Sequence, residues 1–298
     1  MADLIGTRIA RTSRLRELLA APEPLAAPGA YDALSARLIE QAGFGAVYMT
    51  GFGTTASLIG RPDVGLLSAT EMVDNARRIA AAVDVPVIAD ADTGYGNAIN
   101  VVRTVQAFEQ AGVAGIHIED QVTPKKCGHL SGKTVIPAPE MTEKIRAAVA
   151  ARRDPDFVII ARTDAAAVNG LDDAVRRARG YADAGADMLF VEAPTSEQDI
   201  AAVSAELRGT APLVFNWAEG GRTPPVTLTR LTELGFALVL FPISTLLAAT
   251  AGIRSLLATV RADGTPASTL SGLPTFGEFT DLVGLPDIQA LERRFTAT

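Results

Sequence analysis

Residues 86–121 read PVIADADTGYGNAINVVRTVQAFEQAGVAGIHIEDQ, and the fold is decided here. Pro86–Ala89 is a short apolar run, the composition a parallel strand needs when both its faces are buried. Ala98–Ala111 carries apolar residues at helical spacing and stops at Gly112, a residue that caps helices in the left-handed conformation. Gly115–Ile118 is a second short apolar run. Strand, helix and strand in this order make one βαβ unit.

The same alternation runs outward in both directions. Leu25–Pro28, Ala46–Met49, Phe157–Ala161, Met188–Val191, Pro212–Phe215 and Ala237–Phe241 read as further strands. Tyr31–Ala42, Ala69–Ala82, Ala138–Ala151, Leu171–Ala184, Ser196–Leu207 and Thr227–Leu234 read as helices, several closed by a glycine (Gly43, Gly185, Gly235). Eight such units predict a (β/α)8 barrel of the TIM type, a single domain over 1–298; an open doubly wound sheet is the other α/β arrangement with this alternation. Residues 251–298 differ in texture and form a C-terminal helical extension. A helix over Ile253–Val260 is followed by a Gly/Pro/Ser/Thr-rich hinge through Pro274 and a last helix over Asp287–Phe295. Its apolar face must pack on its own barrel or on a neighbouring subunit.

Composition narrows the functional classes. The 298 residues are 48% hydrophobic and 20% charged, with a net charge of −7, so no basic surface invites nucleic acid. The longest apolar runs, such as Phe236–Ile243, are too short to span a membrane. The N-terminal stretch is charged throughout and does not read as a signal peptide. Cys127 is the only cysteine, which precludes an internal disulfide and fits a reducing, cytoplasmic setting.

Polar residues gather at one end of the strands. Asp90, Glu119, Arg162, Glu192 and Asn216 follow five successive apolar runs, at the rim where barrels of this kind carry their chemistry. Asp90 and Asp92 stand two apart, so an extended chain points both carboxylates the same way. With Glu119 they form an all-oxygen set suited to Mg²⁺, or to Mn²⁺, partly through water. Arg162, at the end of a buried strand, must meet an anion: a substrate carboxylate, or a salt bridge to Asp164 or Glu192.

The loop Lys125-Lys126-Cys127-Gly128-His129 holds the only cysteine and one of two histidines. Lysines beside a thiol are expected to lower its pKa, and a polar loop bounded by Gly and Pro is suited to move as a lid. A basic surface loop with an incidental cysteine is the alternative. One cysteine and one nearby histidine do not make a zinc site.

This pentapeptide resembles the signature of the isocitrate lyase and phosphoenolpyruvate mutase superfamily, in its 2-methylisocitrate lyase and 2,3-dimethylmalate lyase-like branch. Thr50-Gly51, Gly60–Gly65, Asp90–Gly96, Ile118–Gln121, Ala161–Asp164 and Asn216–Pro224 resemble further blocks of the family, in order. The resemblance implies that Asp90, Asp92 and Glu119 hold Mg²⁺, and that Thr50, Gly51, Asp63 and Arg162 surround the keto-acid half of the substrate. It implies that Lys125, Cys127, Gly128 and His129 form a gating loop with Cys127 as proton donor, and that Glu192, Asn216 and Glu219 line the rest of the pocket. Phe52 stands where methylisocitrate lyases carry glycine, and Thr50 where they carry serine. The implied reaction is retro-aldol cleavage of a 2-hydroxy di- or tricarboxylate to pyruvate or another α-keto acid, in a homo-oligomer, a tetramer with C-terminal helices exchanged between subunits. Phosphonate chemistry, oxaloacetate cleavage and a catalytically silent binding barrel are the competing expectations.

Overall fold

The structure is a computed structural model and describes residues 10–296; the absence of a signal peptide was read largely from residues 1–9, which lie outside the described residues. Eight strands form: β1 (Leu25–Ala30), β2 (Val47–Met49), β3 (Val87–Asp90), β4 (Gly115–Glu119), β5 (Val158–Thr163), β6 (Met188–Val191), β7 (Leu213–Asn216) and β8 (Phe236–Phe241). They close in sequence order into a parallel barrel, β8 pairing back onto β1. The open-sheet alternative is thereby excluded.

Register positions the chemistry. Asp90 pairs with His117 across β3 and β4, and Glu119 with Arg162 across β4 and β5. Neighbouring strands lie roughly 4.8 Å apart, so these side chains emerge as immediate neighbours at one rim. Inside the barrel, Tyr48, Ile88, Ile160, Met188, Phe190, Val214 and Leu240 fill the lumen, while a larger apolar layer packs between strands and helices.

At the opposite end, the helix Arg11–Leu19 serves as a plug. Leu15 is fully buried among Leu25, Ala46, Ala114 and Val158, all at or just before strand starts. Arg16 fixes it by donating to the Pro155 carbonyl (3.0 Å) and to Asp187 (3.0 Å).

Two of the departures from the sequence expectation bear on the rim that carries the polar residues. Gly51–Ile59, rich in glycine and threonine, is a helix capped by the Thr50 side chain, which accepts from the Gly53 amide at 3.2 Å. Close packing outweighs its poor propensity: Gly51 lies against the Asp90 carboxylate, where a Cβ would not fit. The helix expected from Ile253 begins at Ser244 and runs to Asp263. Its start is capped from a distance, because Glu219 accepts from the Ile243 amide (3.2 Å) and the Ser244 hydroxyl.

Chain contacts define two compact units, residues 2–245 and 246–298. The first is the barrel. The second holds most of the Ser244–Asp263 helix, a 3₁₀ turn (Ala267–Gly272) and the helices Phe276–Leu282 and Leu285–Phe295, which pack on each other. Among the described residues no helix is long and apolar enough to cross a membrane.

Leu15→Ala removes the plug's only fully buried side chain. It should lower unfolding free energy by about 2–5 kcal/mol in urea melts, the range for a leucine deleted from a tight core.

Candidate active site

An open cavity of about 720 Å³ lies at the carboxyl ends of the strands. Of the residues singled out in the sequence, Thr50, Phe52, Asp63, Asp90, Lys125, Cys127, Gly128, His129, Arg162, Glu192, Asn216 and Glu219 line it. Tyr48, Leu130, Ala218, Pro242 and Ile243 join them. Gly51, Asp92 and Glu119 do not reach the lining; Gly51 and Asp92 lie behind it, and Glu119 stands beside Arg162.

The reason for Asp92 is local. The strand ends at Asp90, and Asp92 takes the left-handed conformation with φ 47°, so the alternation that would align the two carboxylates no longer applies. Asp92 turns to Lys125, whose Nζ lies 2.7 Å from its Oδ1 and donates at 2.7 Å to Asp63. Lys125 is thus fully engaged by two buried carboxylates, and they hold its pKa well above the ordinary lysine value despite burial. Burial, reinforced by Asp90 and Asp63 against the pull of Lys125, pushes Asp92 up to about 6. Burial also opposes the charge on Asp90, but His117, Lys125 and Arg162 more than offset it.

His117 stands beneath Asp90. Its Nε2 is 2.9 Å from the Tyr48 hydroxyl and 3.6 Å from Asp90 Oδ1, and its ring stacks on Tyr48. Complete burial depresses it to about 4, so the imidazole is neutral at physiological pH. The sequence sets His117 near the end of β4, among the residues that could serve as the base with Glu192, Glu119 and Tyr48; the strand register places it under the site.

Arg162 meets both of the partners foreseen for it. Its Nε and Nη2 donate to Asp164 at 2.9 and 3.1 Å, Glu119 lies 3.2 Å from Nε, and Glu192 lies 3.8 Å from Nη2. These pairings use two of its three nitrogens, leaving Nη1 for an anion in the cavity. Burial of Asp164 is overcome by Arg162 and Lys133, which hold it at about 2. Asp164 in turn takes its backbone position from Asp120, which accepts from its amide at 2.9 Å. Lys133 and Asp164 thus belong to the site's framework although neither borders the cavity. Lys133 lies four residues beyond the pentapeptide, and no local pattern there says where its side chain goes.

The Lys125–His129 loop lies over the cavity. Glu192 receives the Asn216 amide at 3.1 and 3.2 Å and stands 3.1 Å from His129 Nε2. The Arg222 amide donates to His129 Nδ1 at 3.0 Å, which assigns the imidazole proton to Nε2, facing Glu192. The expectation of a low thiol pKa is overturned. Lys125 is taken by Asp63 and Asp92, Lys126 donates to the Gly132 carbonyl, and burial pushes the Cys127 thiol up to about 11. The thiol is held protonated, as a proton donor requires.

Six carboxylates (Asp63, Asp90, Asp92, Glu119, Asp164, Glu192) and three permanent cations (Lys125, Lys133, Arg162) are buried in this rim. Glu119 Oε1 is buried without a partner, and burial drives its carboxyl well above the usual range. An orphaned carboxylate oxygen in a rim with excess negative charge fits a hard divalent cation. The three carboxylates do not converge into a ready ligand cluster among the described residues, so the fit is to an ion that keeps water in its shell.

A parallel (β/α)8 barrel that gathers acids, an arginine and a thiol at its carboxyl rim has the layout of a barrel enzyme's active site. A family model described as phosphoenolpyruvate phosphomutase matches residues 15–261, and the chain belongs to the PEP mutase/isocitrate lyase superfamily. It is 46% identical over 283 residues to 2,3-dimethylmalate lyase of Eubacterium barkeri, covering 95% of this chain and 97% of the relative. It is 45% identical over 275 residues to 2-methylisocitrate lyase of Aeropyrum pernix, covering 92% and 88%. Among solved structures it is similar to oxaloacetate acetylhydrolase in complex with 3,3-difluorooxalacetate (TM-score 0.91, 41% identity, 96% of this chain and 97% of that one). It is also similar to a phosphonopyruvate hydrolase complex with oxalate and Mg²⁺ (TM-score 0.88, 34% identity, 96% and 99%).

The thiol's environment sets its reactivity. Alkylation of Cys127 by iodoacetamide should be slow at neutral pH and rise about tenfold per pH unit without levelling until near 11. A rate that levels near the ordinary thiol pKa would contradict the buried, protonated state.

Proposed function

We propose that this chain is a carbon–carbon lyase that cleaves a 2-hydroxy dicarboxylate or tricarboxylate, of the 2,3-dimethylmalate or 2-methylisocitrate type, to an α-keto acid and a second carboxylate. The observation that carries the reading is the Cys127 thiol, held protonated beside Arg162 and Glu192 in the cavity. Relatives named as lyases of these two substrates support it.

Asp90, with Asp92 and Glu119 acting through water, would hold Mg²⁺. When bound, that ion supplies Lewis acidity to the 2-hydroxyl and its carboxylate. Arg162 Nη1 orients the same carboxylate, and the Thr50 hydroxyl and the amino end of the Gly51–Ile59 helix complete this half of the pocket. Phe52 borders the substrate, and the Asp63–Lys125 pair holds the loop beside it. Tyr48 lines the cavity and is placed to take the hydroxyl proton and relay its own to the His117–Asp90 pair, where the Asp90 carboxylate, 3.6 Å from Nε2, offsets the burial that otherwise keeps the imidazole neutral. Glu192, engaged by Asn216 and His129, is less free for that task. As the proton leaves, the oxygen's electron pair forms the keto group and the C2–C3 bonding pair moves to C3. His129 and Asn216 donate to the developing aci-carboxylate, as in an oxyanion site. Cys127 gives its proton to C3, and the thiolate regains one from the proton taken at the start. Glu219 holds the β7 loop at the far wall.

The reading extends to a cytoplasmic homo-oligomer, a tetramer with exchanged C-terminal helices. The single cysteine supports the compartment, and exposed Ile253, Leu257, Phe276 and Phe295 on the 246–298 unit support a subunit contact.

With Mg²⁺ present, 2,3-dimethylmalate or 2-methylisocitrate should yield pyruvate, and chelation should abolish it. Cys127→Ser should reduce kcat by about 10²–10⁴-fold while Mg²⁺ binding persists. Consumption of phosphonopyruvate seen by phosphorus NMR, without pyruvate release from either hydroxy acid, would move the chain to phosphonate chemistry.

A further inference from the structure

Lys133 has no part in the reaction sequence above, yet it is among the most enclosed lysines in the described chain. Its side chain is 2% exposed. The ammonium donates to Asp164 Oδ1 at 2.7 Å and to the Gly128 carbonyl. A buried ammonium is tolerated only with such partners, and both of these belong to the catalytic framework. Asp164 grips Arg162 through two hydrogen bonds. At Gly128 the loop backbone comes down onto the reacting groups: a Cβ there would overlap Glu192 Oε1 and Arg162 Nη2. One amine therefore joins the loop's point of contact with the site to the carboxylate that orients the arginine.

The loop is built to respond as a unit. Lys126 donates to the Gly132 carbonyl at 2.8 Å, and Leu130 closes a turn onto the Cys127 carbonyl at 2.8 Å. Gln121 holds both the amide (3.0 Å) and the carbonyl (2.7 Å) of Lys126. The loop's other side-chain ties end on groups that substrate or cation will contest: Lys125 on Asp63 and Asp92, His129 on Glu192. Asp164 is fully buried and does not border the cavity, so the Lys133 tie survives occupation of the site.

We propose that Lys133 is a positioning residue that holds the Lys125–His129 loop shut over the cavity and, through the shared Asp164 carboxylate, keeps Arg162 aligned. Closure of the loop and alignment of the arginine are then one event. Without the amine, the Gly128 carbonyl loses its donor and Asp164 is left to Arg162 alone.

The test uses the whole Mg²⁺-supplied protein and iodoacetamide, which reports on the loop through Cys127, the only cysteine. In Lys133→Met, alkylation at fixed pH should be at least about tenfold faster than in wild type with the thermal midpoint little changed. Lys133→Arg, which keeps donors for both acceptors, should stay within about threefold of wild type. With 2,3-dimethylmalate, the Met variant should lose kcat more than it raises KM. The alkylation arm does not depend on the lyase reading, so failure of that reading and failure of this one are distinguishable. A folded Met variant protected as well as wild type overturns the proposal, as does an Arg variant that reacts as fast as Met. If Lys133→Met does not fold, Lys133→Gln, which keeps a donor but no charge, replaces it under the same two criteria.

Discussion

The buried ion pair of Arg162 with Asp164 is the interaction on which the site's order rests. An arginine at the end of a strand inside a barrel is stable only if its charge is met, and Asp164 meets it with two aligned hydrogen bonds. The same carboxylate takes Lys133 and is set by Asp120, itself held by Thr163 (2.7 Å), Tyr181 (2.8 Å) and Arg177 (3.2 Å). The chain of pairings fixes the guanidinium against the Phe190 ring, 5.1 Å away. Arg162 can then present its remaining donors to the cavity without reorganising, which is what electrostatic preorganisation demands.

Around that pair, charge is deliberately unbalanced. Burial raises Asp92 and Glu119, while cations hold Asp90, Asp164 and Glu192 ionised. Carboxylates of one composition are thereby sorted into different protonation tendencies by their neighbours alone. The same logic acts on Cys127. Its sequence neighbours are two lysines, but in space burial acts first, and Asp63 and Glu192 reinforce it against the pull of the His129 amide and Arg162, so the thiol keeps its proton. A thiol that its flanking lysines would ionise keeps its proton in its pocket.

Much of the site was legible because barrels put their chemistry at strand ends. That rule brings Asp90, Arg162, Glu192 and Asn216 to one cavity and sets Glu119 beside Arg162. Other features escape that rule. Asp92 leaves the strand in a local left-handed turn, which strand alternation does not foresee. Lys125 is paired by Asp63 and Asp92 from the loops after β2 and β3, and the start of the Ser244–Asp263 helix is capped by Glu219 from another loop; both depend on partners distant in sequence. Tyr48 and His117 meet because β2 and β4 flank β3, where Tyr48 pairs with Ile88 and His117 with Asp90 two residues on.

Sequence alone determined the eightfold alternation, the rim that carries the polar residues and the loop that carries the thiol, because periodicity and residue type act locally. Tertiary structure decided which charges pair, which carboxylate oxygen is left without a partner and which way the thiol's pKa moves. Those outcomes depend on burial and on distances of a few ångströms between residues far apart in the chain, and no local pattern encodes them.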